Sequence, residues 1–353
     1  MADFTQGRIG IWAITSGGYA LALKIQDRIS DSVVFVSSTS VSSPVSGRDI
    51  HIFSSLGKRI RQEFNRFKGH VFIFSTGIAV RLICPMLKSK LTDPAVVVMD
   101  DNGQYVISLV SGHIGGANEL AVQTAGAVDA VPVITTATDV NNLPAIDMIA
   151  KKNSLYIQTP YNIKNINMAF LQKKPVFLYD PFDIVKNEIS DSMWVQGTQD
   201  CTETPAVFCS HEICEVPRET MILRPPVLTV GIGCNRNTPA HEIENFLLKI
   251  FEEQGWSVKS IYRFASSDIK QDEQGLIAFS EDMKIKVDFF TREQLNSVET
   301  IENPSEIVEK HLGVKSVCEA AAILSGNKGK LIMAKRKTPN VTLAVAMRRE
   351  FSI

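Results

Sequence analysis

A histidine lies between two glycine clusters in the segment SLVSGHIGGANELA, residues 108–121. The apolar run YVISLV predicts a strand before it, and the pattern ANELAVQTAGA predicts a helix after it, so His113 falls in the connecting loop. A free imidazole titrates near neutral pH, which suits general base catalysis. The glycines let an anionic ligand approach the N–H groups of the helix start. The segment therefore predicts a catalytic or anion-binding loop, and a plain turn with a surface histidine is the alternative.

A second loop of this kind, Ser75-Thr76-Gly77, follows the apolar run VFIF and precedes a helix that carries Arg81. The Arg81 guanidinium could bind a carboxylate through two parallel hydrogen bonds, although a solvated helix face explains this residue equally well. The loop of His113 fits neither the GxGxxG nor the GxxxxGK[ST] pattern of nucleotide sites. Open α/β sheets bind ligands beyond the carboxyl ends of their strands, so we expect both loops to face one crevice.

The C-terminal third contains another glycine loop, GIGCNR, and a basic segment. Cys234 in this loop is a candidate nucleophile, but such a cysteine needs a neighbouring base and the sequence identifies none. Residues 320–349 include seven basic residues and no acidic one. This segment predicts a surface for an anionic partner, with a solvated basic face as the alternative. Nucleic acid is disfavoured because no aromatic residues interleave with the charges.

The run CTETPAVFCSHEIC holds Cys201, Cys209, His211 and Cys214, which are enough ligands for a metal ion. Their spacing fits no zinc pattern, however. We therefore predict no metal site and cysteines that stay reduced.

Strand and helix patterns alternate along residues 1–140, with strands predicted at IGIWAI, SVVFV, HVFIF, AVVVM, YVISLV and VPVIT. The segment DDNGQ before YVISLV carries the Asn-Gly signal of a tight hairpin. These patterns predict an N-terminal α/β domain with a mainly parallel sheet and one antiparallel excursion. Residues 141–226 predict a small irregular middle domain that ends in the linker RPPVL. Residues 227–353 predict a C-terminal α/β domain that begins with the strand VLTVGIGC.

The 353 residues include 37 basic and 38 acidic side chains, for a net charge of −1. No global field would therefore attract nucleic acid or an anionic membrane. The longest apolar runs fall far short of the roughly 20 residues that a membrane span requires. The start of the chain also lacks the pattern of an export signal, so we expect a cytoplasmic protein.

Four parts of the chain carry a resemblance to a known family: STGIAVRLICP, DPAVVVMDDNGQYVISLVSGHIGGANELA, VGIGCNRNTP, and VCEAAAILSG with AKRKTPNVTLAVA. They resemble the cobalt-precorrin-5A hydrolase family, CbiG, of anaerobic cobalamin biosynthesis. The resemblance implies a three-part chain that opens the δ-lactone of cobalt-precorrin-5A, a contracted tetrapyrrole, and releases acetaldehyde to give cobalt-precorrin-5B. The substrate brings its own cobalt, so no cofactor is expected.

For this reaction His113 is predicted as a general base whose imidazole Glu119 orients, or as an axial ligand of the cobalt, and the sequence leaves both roles open. The N–H groups of Gly115 and Gly116 would stabilise an oxyanion. The C-terminal basic segment would form the other side of the site and bind the carboxylates of the ring. The predicted substrate-binding residues are Thr76, Gly77, Arg81, Ser111, Gly112, Gly115, Gly116, Asn118, Gly233, Cys234, Asn235, Lys335 and Lys337.

A corrinoid carrier without catalytic activity is the alternative function, and a nucleotide-binding protein is a third. The expected partner is a small-molecule cobalt corrinoid, with neither nucleic acid nor a membrane involved. The sequence leaves open a homodimer and transient contacts with other enzymes of the pathway.

Overall fold

The computed structural model describes residues 7–41, 43, 45–89, 92–141, 143–199, 202–298 and 317–351. The chain divides between Met148 and Ile149 into two compact units. Within the described ranges, no helix is both long and apolar enough to cross a membrane. Each unit is described separately below.

Seven strands form one sheet in the first unit. Their bounds are Ile9–Ala13 (β1), Ser32–Ser37 (β2), Ile50–Phe53 (β3), Gly69–Ile73 (β4), Ala95–Met99 (β5), Tyr105–Val110 (β6) and Val131–Val133 (β7). Their order across the sheet is β3-β2-β1-β4-β5-β6-β7. The helices that accompany them are Ser16–Arg28 (α1), Leu56–Glu63 (α2), Thr76–Ile83 (α3), Ala117–Val128 (α4) and Ala137–Val140 (α5), and Ile146–Lys152 (α6) crosses the boundary.

Apolar side chains cover both faces of this sheet, which explains why its central strands are continuous apolar runs. One apolar cluster joins β1, β4 and β5 to α1 and α4. A second cluster on the same strands includes residues of α2 and α3. The strands β5 and β6 have the bounds that the sequence predicts. The short strand β3 was not predicted, because four residues are too few to show the apolar–polar alternation of a strand.

The hairpin between β5 and β6 confirms the Asn-Gly prediction. The Asp100 carboxylate accepts hydrogen bonds from the N–H groups of Asn102, Gln104 and Tyr105, and Gly103 has a φ of +72°. The strand β6 therefore runs antiparallel to β5, whereas β1 to β5 are all parallel. We call the edge where β1 to β5 begin the amino edge, and the edge where they end the carboxyl edge. The reversal brings the end of β6 to the amino edge.

The second unit contains two five-stranded sheets. The middle sheet comprises Tyr156–Ile157 (β8), Val176–Tyr179 (β9), Trp194–Gln196 (β10), Ala206–Cys209 (β11) and Met221–Arg224 (β12), in the order β10-β9-β11-β12-β8, with the helix Ile163–Leu171 (α7). The middle region is thus more regular than the sequence indicates. Its strands have only two to four residues, too few for a clear pattern.

The last sheet comprises Leu228–Cys234 (β13), Ile261–Ser267 (β14), Val287–Phe290 (β15), Lys330–Lys337 (β16) and Val341–Met347 (β17). Its order is β15-β14-β13-β17-β16, in which β13, β14 and β15 are parallel and β17 is antiparallel to both of its neighbours. Its described helices are Ala240–Gln254 (α8), Gln274–Met283 (α9), Arg292–Asn296 (α10) and Val317–Ser325 (α11).

Backbone hydrogen bonds join the middle and last sheets of this unit. The Ile213 N–H donates to the Gly255 carbonyl at 2.7 Å, and the Ser257 N–H donates to the His211 carbonyl at 2.8 Å. The buried Arg224 at the end of β12 donates to the carbonyls of Ser210 and Glu212. Burial lowers the pKa of Arg224 to about 10. Arg224 therefore holds in place the segment that contacts the last sheet.

Candidate active site

The imidazole of His113 lies between two aspartates at the amino edge of the first unit. Its Nε2 is 2.8 Å from Asp139 Oδ2, and its Nδ1 is 3.4 Å from Asp147 Oδ2. The Thr138 hydroxyl is 3.1 Å from the same Nε2. Both ring nitrogens therefore face carboxylates, and only 16% of the His113 side chain is exposed.

The two aspartates raise the pKa of His113, because their charges favour the protonated ring. The hydrogen bond with Asp147 contributes most, and burial of the ring opposes it. Asp147 is buried, with 6% of its side chain exposed, whereas 42% of the Asp139 side chain is exposed. Asp147 is thus a fixed partner of the ring, and Asp139 is its partner on the solvent side.

Asn118 connects the glycine loop to the segment that carries Asp139. Its Nδ2 donates to Asp139 Oδ2 at 3.1 Å and to the Thr136 hydroxyl at 3.0 Å. Its Oδ1 accepts from the Ser108 hydroxyl at 2.6 Å. The Asn118 amide is therefore occupied within the protein, and it positions Asp139. This contact gives the predicted substrate-binding residue a role in supporting the site.

The glycines of the loop allow it to fold tightly against itself. A Cβ at Gly115 would lie 2.3 Å from Ser111 Cβ, and a Cβ at Gly112 would lie 2.8 Å from Asn118 Oδ1. Gly116, just before α4, has a φ of +88°, which a side chain would disfavour. These positions require glycine for packing and for backbone conformation. The predicted approach of a ligand is not needed to explain them.

Two details of the predicted catalytic loop need correction. The side chain of Glu119 is exposed and accepts a hydrogen bond from Gln123 at 3.2 Å, so it does not orient the imidazole. The N–H of Gly116 donates to the His113 carbonyl at 2.9 Å and is already engaged. Glu119 follows the buried Asn118 at an exposed position of α4, so its side chain does not reach back into the loop of His113. Asp139 and Asp147 take the role predicted for Glu119.

The predicted common crevice for the two N-terminal loops is wrong. Residues 75–77 follow β4 at the carboxyl edge, where Ile73 pairs with Met99. Residues 111–116 follow β6 at the opposite edge, where Val110 pairs with Val96. The antiparallel course of β6 separates the loops by the length of the strands, about 15 Å. Thr76, Gly77 and Arg81 therefore do not lie beside His113.

The carboxyl edge nevertheless has the geometry of a ligand crevice, because the strand order changes direction between β1 and β4. Thr76 and Gly77 begin α3 beside this point. Thr15, which caps α1, donates its hydroxyl to the Asp101 carboxylate. Arg81 is exposed and donates to the Gly77 carbonyl at 3.1 Å. The role of Arg81 in carboxylate binding stays a prediction.

The second unit brings its own predicted residues together at one end of the last sheet. Gly233 and Lys337 both lie opposite Thr342 on the two sides of β17. The Asn235 N–H donates to the Asn340 carbonyl at 2.9 Å. Burial raises the pKa of Cys234, which disfavours a thiolate nucleophile. Asn235 therefore ties the GIGCNR loop to the turn after Lys337.

Lys335 belongs to an irregular part of β16, where the pairing with β17 shifts register between Met333 and Arg336. Its N–H donates to the carboxylate of Glu319 at 2.8 Å. Glu319 is fully buried and lies on α11. The carboxylate of Glu319 thus accepts a hydrogen bond from a backbone N–H at the register shift of β16. The spacing of residues in the sequence does not reveal this contact.

In the cysteine-rich run, Cys201 lies outside the described residues. Cys209 is buried, and burial raises its pKa well above the ordinary value of a thiol. Among the described residues, no group of three or more His, Cys, Asp and Glu side chains is arranged to hold a metal ion. The absence of a metal site stays a prediction for the whole chain.

Comparison with known families matches most of the chain in three consecutive segments. The matching models are described as the cobalamin synthesis G N-terminal region for residues 58–139, the cobalamin biosynthesis central region for 144–225 and the cobalamin synthesis G C-terminus for 228–346. The cobalt-precorrin-5A hydrolase of Priestia megaterium is 32% identical over 98% of this chain and 96% of its own length. The chain belongs to the CbiG family.

A second curated relative is similar to the chain over nearly the full length of both. The cobalt-precorrin-5A hydrolase of Salmonella typhimurium is 32% identical over 96% of this chain and 97% of its own length. A solved structure of a cobalamin biosynthesis protein G homologue from Sulfolobus solfataricus covers 96% of the chain and 97% of that protein, with 22% identity and a TM-score of 0.36. The two hydrolases of 32% identity confirm, at the level of the family, the resemblance seen in the sequence.

Sequence reasoning missed Asp139 and Asp147 in this CbiG chain. They lie 26 and 34 residues after His113, beyond α4 and β7, so local spacing carries no signal of the contact. The pairing of β7 with β6 brings the segment after β7 to the end of β6. The run TATD after VPVIT was the available clue, because hydroxyl and carboxylate residues follow a strand there.

Proposed function

We propose that this chain opens the δ-lactone of cobalt-precorrin-5A and releases acetaldehyde to give cobalt-precorrin-5B, with His113 carrying the proton. The observation that supports this role is the placement of the His113 ring between Asp139 and Asp147. Its relatives of 32% identity are named as hydrolases of this compound. Cobalt arrives within the substrate, and the proposal includes no cofactor of the protein.

The reaction requires two proton movements. Water adds to the acyl carbon of the lactone and loses a proton, the ring oxygen leaves, and a carboxylate remains. The oxygen that is freed becomes the carbonyl of acetaldehyde as its carbon separates from the macrocycle. The ring carbon takes up a proton in place of the lost fragment. A group that accepts the first proton and supplies the second completes the cycle.

The neutral ring of His113 is suited to accept the proton. Asp147 and Asp139 stabilise the imidazolium that forms, and they hold the ring in one orientation. The same imidazolium then donates the proton to carbon. Axial ligation of cobalt would replace the contacts of Nε2 with Asp139 and Thr138, and it stays the alternative role of His113.

Stabilisation of the oxyanion is assigned to the N–H of Gly115, because the N–H of Gly116 is engaged with His113. The Thr138 hydroxyl lies beside the ring and is a second candidate donor. The contribution of the second unit, including Lys335 and Lys337, stays a prediction. So do the cytoplasmic location, the three-domain division, a homodimer and contacts with other enzymes of the pathway.

The test is to incubate the purified protein with cobalt-precorrin-5A and to measure acetaldehyde by its reduction with alcohol dehydrogenase and NADH. A hydrolase consumes NADH in proportion to the substrate that is converted. A carrier binds the corrinoid, which a change in its absorption spectrum reports, and releases no acetaldehyde. Binding without acetaldehyde would replace the hydrolase with the carrier.

A further inference from the structure

A cavity with a volume of about 890 Å³ opens at the amino edge of the first unit. It lies where β1 begins and where α1 ends, and its lining includes Ile9, Arg28, Asp31, Lys68 and Gln123. We call it the cationic cavity. Its volume falls within the range of about 300–1,000 Å³ that is typical of small-molecule sites.

The charges of the cationic cavity favour an anion. Arg28 and Lys68 form no ion pair within the part of the chain that the structure describes. The acidic residue of the lining, Asp31, is already paired with Arg8 at 2.9 Å. Gln123, a neutral residue of the lining, donates its side-chain amide to Glu119 at 3.2 Å. Two cations are therefore available to a carboxylate that enters the cavity.

The cationic cavity lies on the same edge of the sheet as His113. Lys68 immediately precedes β4, whose first residue Gly69 pairs with Ala95 of β5. On the other side of β5, Val96 pairs with Val110, and the loop of His113 follows directly. Two strand spacings amount to roughly 10 Å. This separation is comparable to the width of a tetrapyrrole ring, so one ligand can reach both places.

The helices also connect the two places. His113 lies just before α4, and Gln123 lies within α4 and lines the cationic cavity. The helix α4 packs beside α1, the helix that ends with Arg28. The helix α4 thus connects the cavity with the loop of His113, and α1 contributes Arg28 to the same cavity.

We propose that the cationic cavity binds peripheral carboxylates of the substrate through Arg28 and Lys68 while the lactone faces His113. The inference rests on the proposed function, because it takes the polycarboxylate substrate and the role of His113 from it. The amino edge then holds both the reacting end and an anchoring end of the ligand. This arrangement differs from the sequence-based expectation of anchoring at Arg81.

The test compares steady-state kinetics of Arg28→Met, Lys68→Met and the double variant with the parent. Methionine keeps the apolar length of each side chain and removes the charge. We expect each single variant to raise KM about tenfold, which corresponds to one lost charged hydrogen bond, with kcat within about twofold of the parent. The KM of the parent should rise with salt, and that of the double variant should rise less.

Lys24→Met is the matched control, because Lys24 is an exposed residue of α1 one turn before Arg28. Arg28→Lys retains the charge and should recover most of the affinity. Melting temperatures within a few degrees of the parent verify the fold, and Lys68→Met alone provides the kinetic test if Arg28→Met is unstable. A KM of the double variant equal to that of the parent would overturn the assignment.

The outcome also distinguishes this inference from the proposed function. If the parent releases no acetaldehyde, the hydrolase proposal fails. The Kd of the same corrinoid, measured by absorbance, then tests the cationic cavity directly. Equal Kd values for the parent and the double variant would refute the cavity, and a Kd about tenfold or more higher for the variant would support it.

Discussion

Replacing Asp147 with asparagine tests whether a buried carboxylate sets the proton affinity of His113. The substitution keeps the shape of the side chain and removes its charge from a site where 6% of the side chain is exposed. Hydrogen bonds to charged groups contribute about 1.5–3 kcal/mol. The 3.4 Å separation of Nδ1 and Oδ2 favours the lower end of this range. A loss of about 1.5 kcal/mol predicts a decrease in kcat/KM of about tenfold.

The pH profile provides the sharper measurement. Asp147 is the largest cause of the raised pKa of His113, so its neutralisation should lower that pKa. The acidic limb of kcat/KM, which reports the ionisation of the free enzyme, should then move to lower pH. Asp282→Asn, at an exposed position of α9, is the control and should leave the limb in place. A limb that stays fixed in Asp147→Asn, or moves to higher pH, would refute the reasoning.

Three further predictions concern the same loop. His113→Ala should lower the turnover number by about 100-fold or more in the acetaldehyde assay, and an unchanged rate would remove His113 from the mechanism. Gly115→Ala should lower the free energy of unfolding by about 1–3 kcal/mol in urea titrations, because its Cβ would meet Ser111. Gly126→Ala in α4, where a Cβ meets open space, should instead be neutral or stabilising by up to about 1 kcal/mol, and equal effects at both glycines would contradict the packing argument. The raised pKa of His113 stabilises the folded state below the unfolded value of about 6.5, and this contribution is lost as pH rises through the folded pKa. The difference in unfolding free energy between the parent and His113→Ala should therefore shrink with rising pH, and a constant difference would argue against the aspartate contacts.

The elements of the first unit were largely predictable because their signals are local. AVVVM and YVISLV are uninterrupted apolar runs, and DDNGQ between them specifies a tight turn. The wrong prediction of one crevice for the two N-terminal loops came from overlooking what this hairpin turn implies. A hairpin reverses the chain, so the end of YVISLV had to emerge at the amino edge, away from Thr76 and Arg81. The information for placing the loop of His113 was present in the sequence.

The partners of His113 were less accessible to sequence reasoning. Asp139 and Asp147 reach the ring only after α4 and β7 have crossed back to the end of β6. Glu119 was the nearest acid in sequence, but its place on α4 directs it to solvent. The contact is set by tertiary packing, which a spacing pattern does not describe. The short strands of the middle region were missed for a related reason, because their pairing depends on neighbours distant in sequence.

The hydrogen bonds between the middle and last sheets have a consequence for unfolding. Two of the three family segments share one compact unit, joined by the backbone hydrogen bonds of Ile213 and Ser257, and the buried Arg224 holds the segment of Ile213 in place. Loss of either sheet would remove the hydrogen bonds between them, each of which contributes about 0.5–1.5 kcal/mol to stability. The middle and C-terminal segments should therefore melt cooperatively, and differential scanning calorimetry should resolve two transitions rather than three. A fragment ending near Pro225 would therefore cut through one cooperative unit, whereas the boundary between the two units lies within α6.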